Sequence, residues 1–161
     1  FGTVRSKGVE LDIKGDAAPI LYLYANATFQ DLRDHREHEN GSEAANPTYN
    51  KRMPNIPYIL ANGGLEFHKA NLFGGENQNS RFLVDASYIH EYFYDFEMSK
   101  YQDRKIPSSF TIDAGLEHSF KDDSFILSFK VKNLTDKIVY SELNRPLPGR
   151  NFSFKIRYVM K

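Results

Sequence analysis

Apolar and polar side chains alternate at period two along seven stretches of this chain. The last is the most regular: between residues 151 and 160, Phe152, Phe154, Ile156, Tyr158 and Met160 share one side, and Ser153, Lys155 and Arg157 the other. A helix would spread such a series around its circumference, so the pattern predicts a strand with two different faces. The same test predicts strands over residues 2–14 (Val9, Leu11 and Ile13 against Glu10, Asp12 and Lys14) and 21–30 (Leu21, Leu23, Ala25, Ala27 and Phe29 in register). Further strands follow over 58–69, 81–95, 110–119 and 125–132. The fourth is the richest in aromatics. Phe82, Val84, Ala86, Tyr88, His90, Tyr92 and Tyr94 fall on one side, and Leu83, Ile89 and Phe93 interrupt the other.

The connections alternate in length. Residues 15–19 make a short turn, 31–57 a long charged loop with three prolines, 70–80 a turn, 96–105 a second charged loop, and 121–124 a tight turn. Short turns at one end and long loops at the other are the pattern of an outer-membrane barrel, whose alternate residues face lipid and a hydrated lumen. Seven strands cannot close an all-antiparallel barrel without leaving unpaired edges, which lipid does not tolerate. The expectation is therefore an all-β fold: an antiparallel transmembrane β-barrel segment of about seven strands, belonging to a larger barrel.

Composition narrows this further. The 161 residues carry 21 basic and 21 acidic side chains, so no net field draws the chain to nucleic acid. No apolar run reaches the roughly 20 residues of a membrane helix. Phe and Tyr supply every aromatic, 13 and 10 of them, and both suit strands. Lys or Arg on the lipid side at mid-bilayer costs roughly 2–4 kcal/mol. The last three strands keep Lys130, Lys132, Lys155 and Arg157 on the polar face, which a soluble sandwich would do as well, so this supports two-sided strands without choosing the solvent.

The stretch from Val131 to Arg150 carries a more specific signal. Val131, Asn133, Leu134, Thr135, Asp136, Lys137 and Tyr140 are followed by Pro148, Gly149 and Arg150 and then by the closing strand. This resembles the C-terminal hairpin of TonB-dependent outer-membrane receptors, where V-x-N-L-[TF]-[DN]-K-x-Y precedes P-G-R. Asn133 and Asp136 also read as a turn start, because their side chains bond nearby backbone. The likeness breaks at the end, which reads Tyr158-Val159-Met160-Lys161 in place of a terminal aromatic.

The resemblance implies that residues 1–161 are the C-terminal portion of a 22-stranded type of barrel in the bacterial outer membrane, with the plug domain and earlier strands lying outside this sequence. It implies an active-transport receptor energised through TonB. The cargo would be a scarce nutrient: an iron-siderophore, haem, a cobalamin or a glycan. Its partners would be outer-membrane lipid, the plug, the remaining strands and, through the plug, TonB. Loops 31–57, 96–105 and 137–146 would lie outside the cell. A passive outer-membrane porin and a soluble β-sandwich ligand-binding module are the alternatives.

Candidate chemistry is sparse. Asp85, Glu91, Asp113 and Glu117 share polar faces with Lys130, Lys132, Lys155 and Arg157, and the expectation is a solvated lumen lining. His35 and His38 are the weak metal candidates, an i, i+3 pair among carboxylates whose bland reading is a charged loop. His90 and His118 sit on apolar faces. No nucleophile, phosphate-loop or zinc-hydrolase spacing occurs, so no enzyme, catalytic residue or cofactor is expected.

Overall fold

The computed structural model describes residues 3–96 and 105–160. Its strands are β1 (Val4–Ala18), β2 (Leu21–Asp34), β3 (Ile59–Ala70), β4 (Asn79–Ile89), β5 (Tyr92–Phe93), β6 (Lys105–Ile106), β7 (Ser109–Phe120), β8 (Phe125–Lys132), β9 (Tyr140–Glu142), β10 (Arg145–Pro146) and β11 (Asn151–Tyr158). Seven of them form one antiparallel sheet in the order β1-β2-β3-β4-β7-β8-β11, each next to its neighbour in the chain's meander. The sheet is open, with β1 and β11 at its edges. The pairs β5/β6 and β9/β10 lie in the long connections.

Register carries the alternation across all seven strands. One row runs Leu21, Phe67, Phe82, Leu116, Phe129, Phe154, and the next runs Leu23, Leu65, Val84, Ala114, Val131, Phe152. Aromatic and branched side chains opposite one another stabilise such a ladder by roughly 0.2–1 kcal/mol per pair. The apolar face has no second layer over it: on the interior strands Leu116 is 52% exposed and Phe82 and Phe129 44% each. A soluble sandwich needs a second sheet over this face, and the described residues supply only the two small strand pairs. Tyr58, Tyr92 and Ile106 form a small buried cluster at the long-loop end.

Strand ends differ from the sequence reading at several places. β1 runs on to Ala18, through most of the turn expected over 15–19, because it keeps pairing with β2 as far as Ala18–Leu21. The fourth strand stops at Ile89 rather than continuing to residue 95, because Tyr92 and Phe93 leave β7 to pair with Ile106 and Lys105. Tyr92 is buried against Tyr58 and Ile106 instead, Glu91 lies off the sheet, and His90 stays beside Tyr88 with its backbone N–H on Ile59 O. At its other end β4 starts at Asn79, inside the turn expected over 70–80. β2 runs on to Asp34, four residues into the expected loop, since β1 continues to pair with it up to Val4–Asp34. Most of the charged loop expected over 96–105 lies outside the described residues.

Candidate lumen face and loop mouth

The polar face is ordered in rows by the same register. Asn26, Asn62, Ser87 and Thr111 stand opposite one another on β2, β3, β4 and β7. Asn62 Nδ2 donates to Asn26 Oδ1 at 3.0 Å, and Ser87 Oγ donates to Asn62 Oδ1 at 2.8 Å. The next row is Tyr24, Gly64, Asp85, Asp113. Tyr24 reaches across Gly64 and donates its hydroxyl to Asp85 Oδ1 at 2.7 Å. A Cβ on Gly64 would lie 2.6 Å from Tyr24 Cε1, 2.7 Å from Asp85 Oδ1 and 2.8 Å from Val84 O. Only glycine leaves that ring its path.

Asp113 directly faces Asp85, an arrangement that like charges disfavour. Its Oδ1 accepts the Asn133 backbone N–H at 2.9 Å, and Lys130 Nζ stands 3.9 Å from Oδ2. Glu117 accepts from Ser128 Oγ at 2.9 Å. Lys132, Lys155 and Arg157 are opposite Asn151, Ser128 and Ile126, on the same polar face. Of the lining residues expected from sequence, Glu91 alone is elsewhere: it pairs with Lys105 Nζ at 2.7 Å in the long connection. Leu83, which breaks the polar alternation, stands opposite Gly115 and leans over it. Beside this face lie two adjoining recesses of about 310 and 400 Å³, sharing Ser87, Thr111 and Asp113.

The two halves of the Val131–Arg150 motif meet in space. Val131 is buried in β8, and Asn133 follows with a left-handed φ of 51°. Its Nδ2 donates to Lys137 O at 2.7 Å and its Oδ1 accepts the Lys137 N–H at 3.0 Å, while the Leu134 N–H bonds Ile112 O. Asp136 also adopts a left-handed φ, 54°, and its Oδ1 accepts the Arg150 backbone N–H at 2.7 Å. Asn and Asp tolerate that region because their short polar side chains bond locally. Beyond them, Tyr140 opens β9, and Pro148 lines the larger recess.

A family model described as TonB dependent receptor-like, beta-barrel matches residues 1–134. The chain belongs to this family. TonB-dependent receptors are outer-membrane receptors of bacteria rather than an enzyme family. No curated protein matches the chain.

At the long-loop end, the connection from β2 to β3 is organised by one carboxylate. Asp34 is 2% exposed. It accepts from the Arg36 side chain and backbone N–H, from Thr48 Oγ1 at 2.7 Å and from Asn46 Nδ2 at 3.2 Å. These donors, Arg36 foremost, hold its carboxyl well below the usual carboxylate range. Asp31 and Arg33 already occupy the outward side of β2 below it, so Asp34 stands above the apolar band. In the second loop, the Lys105 ammonium lowers Glu91, and burial followed by the nearby Glu142 raises the Tyr92 phenol.

The loops also touch one another. The Asn55 N–H bonds Phe93 O at 2.7 Å, and Tyr92 donates its hydroxyl to Ser141 O at 3.3 Å. His35 packs against the Tyr49 ring at 5.6 Å and His38 bridges to Ala45. Among the described residues no three His, Cys, Asp or Glu gather as a metal site. His118 bonds Ser80 Oγ through Nδ1 at 2.8 Å and is flanked edge-on by Phe73 and Phe120, at the short-turn end of the apolar face. His90 bonds the Tyr88 hydroxyl. Asp34, Tyr24 and Gly64 had no sequence signal as site residues, since their partners are fixed only by folding.

Proposed function

We propose that this chain is the C-terminal part of the barrel of an active-transport receptor that takes up a scarce nutrient, an iron-siderophore, haem, a cobalamin or a glycan. The bare apolar face meets outer-membrane acyl chains. Edge strands β1 and β11 pair with the remaining strands of the parent barrel, and the row-ordered polar face surrounds an N-terminal plug. The observation that carries this reading is the sheet's two-sidedness: Leu116 and Phe129 lie uncovered on one face while Asp85, Asp113, Glu117, Lys130, Lys132, Lys155 and Arg157 lie on the other. The long loops then open to the exterior and the short turns to the periplasm. Cargo would enter through the mouth framed by residues 35–58 and 133–150, and TonB would act on the plug rather than on this segment.

Uptake of labelled cargo candidates by cells expressing the full receptor tests the reading. Transport is expected to require both the receptor and TonB. Uptake that persists undiminished after TonB is inactivated would make the protein a passive pore.

A further inference from the structure

Immediately beyond the apolar band, the outward face of β1 and β2 changes character. Val9, Phe29 and Ile59 form the last apolar row at the long-loop end. Two residues further, Lys7 stands opposite Asp31, and two further again Arg5 stands opposite Arg33, which itself bridges to Arg52. The side-chain period puts all of these on the face that carries Val9 and Phe29. Three guanidinium side chains thus span one row, a juxtaposition that like charges disfavour. Asp31 is the single carboxylate among them, taking Arg33 Nε at 2.8 Å and Arg52 Nε at 2.9 Å.

That carboxylate fixes two of the four cations without neutralising the group. Arg33 is also held by Asn50 O at 3.0 Å, and Arg52 lies over the Tyr58 ring at 3.9 Å. Both guanidinium groups are therefore positioned while a third of each side chain remains exposed. Arg5 and Lys7 are exposed and make no ion pair among the described residues. At about 3.4 Å per residue and a tilt near 40°, the Arg row stands roughly 10 Å above the last apolar row. This is headgroup depth, outside the acyl chains.

We infer that this rim, Arg5, Lys7, Arg33 and Arg52 around Asp31, is a docking surface for the phosphate-bearing headgroup of an outer-leaflet lipid. The inference rests on the apolar face of the proposed receptor lying in the bilayer with its long loops outside. Charge complementarity and continuity with the apolar band select the occupant. The acyl chains lie along Val9, Leu11 and Phe29, and the phosphates bring to the Arg row the anions that Asp31 alone does not supply. Guanidinium forks match phosphate oxygens in paired hydrogen bonds.

The test uses the full receptor in phosphatidylcholine nanodiscs containing a diphosphorylated lipid A or the same lipid with its phosphates removed, with retained lipid counted by native mass spectrometry. Arg5→Gln with Lys7→Gln removes two charges and leaves the Arg33–Asp31–Arg52 arrangement intact. Each charge near the surface is worth about five-fold, so preference for the phosphorylated lipid is expected to fall about twenty-five-fold. An unchanged preference overturns the inference, as does its complete loss to millimolar inorganic phosphate, which would assign the rim to a free anion. Quenching of Phe154→Trp by brominated acyl chains separates the two levels. Quenching with an unchanged lipid preference defeats the rim alone, and absence of quenching defeats the receptor reading itself.

Discussion

One carboxylate oxygen of Asp136 occupies the space that a side chain on Gly149 would need. Asp136 Oδ1 accepts the Arg150 N–H at 2.7 Å, and a Cβ placed on Gly149 would lie 2.8 Å from that same atom. The glycine is required by the carboxylate beside it.

Gly149→Ala is accordingly expected to push Asp136 away and release the Arg150 amide. The loss should be about 1–2 kcal/mol, the range for a hydrogen bond to a charged group near solvent. Asp136→Ala should cost a similar amount, and Gly149→Ala made on that background should cost little more, because the clash is gone. Hydrogen exchange at Arg150 in the full receptor reads both the loss and its non-additivity. Additive effects would mean that the two residues act separately.

A second glycine gives a paired prediction. Gly64→Ala places a methyl against Tyr24, Asp85 and the Val84 carbonyl, and overpacking of this kind costs typically 1–3 kcal/mol. Gly115→Ala on interior β7 meets only ordinary contacts at 3.7 Å and beyond and should be neutral or stabilise by about 0.5 kcal/mol. Urea unfolding of the two refolded variants should separate them, and equal midpoints would show that Tyr24 does not need its path across Gly64.

These residues also mark what the sequence makes legible. Seven strands and their two faces are local patterns: Phe152 to Tyr158 or Val9 to Ile13 declare their period without knowing their neighbours. Asn133 is equally legible, because its partner Lys137 is four residues on, whereas the side chain of Asp136 reaches across to Arg150 rather than to its own turn. The end of β4 is not, since Tyr88, His90, Tyr92 and Tyr94 continue the alternation and only the pairing of Tyr92 with Ile106 breaks it. Nor is the Tyr24–Asp85 bond, between residues brought together by register across an intervening strand. Asp34 looks like one more charge in a charged loop until Thr48, Asn46 and Arg36 fold round it.

The depressed Asp34 carboxyl fixes the sign of a pH effect. A group whose folded pKa lies below its unfolded value stabilises above the unfolded value, about 3.9 for Asp, and loses that stabilisation as pH falls through the folded one. Residues 35–52 should therefore stay protected from proteolysis from pH 7 down to about 4 and open progressively in more acid solution. Each unit of depression is worth about ten-fold in the closed-to-open ratio. Asp34→Asn should raise the opening of this loop at pH 7 by more than about ten-fold, and the difference from wild type should shrink below pH 4. Pulse-labelled hydrogen exchange, which tolerates acid, measures both. A difference that is constant with pH would place the effect in shape rather than charge.

Val84 and Leu83 are neighbours at one depth on opposite faces of β4, which turns the choice of solvent into a measurement. Val84 lies on the apolar row with Leu65 and Ala114, and Leu83 stands between Glu66 and Gly115 on the polar face. Val84→Lys is expected to cost roughly 2–4 kcal/mol in a bilayer, the penalty for a cation on the lipid side near the midplane. Leu83→Lys gives up its contact over Gly115 but gains Glu66 as a partner in a hydrated interior. It should stay within about 1 kcal/mol of wild type, since an exposed pair contributes little either way. Folding titrations of the full receptor into phosphatidylcholine vesicles give the two free energies. The decisive quantity is their difference, and a difference near zero would mean that the apolar face is not turned to acyl chains.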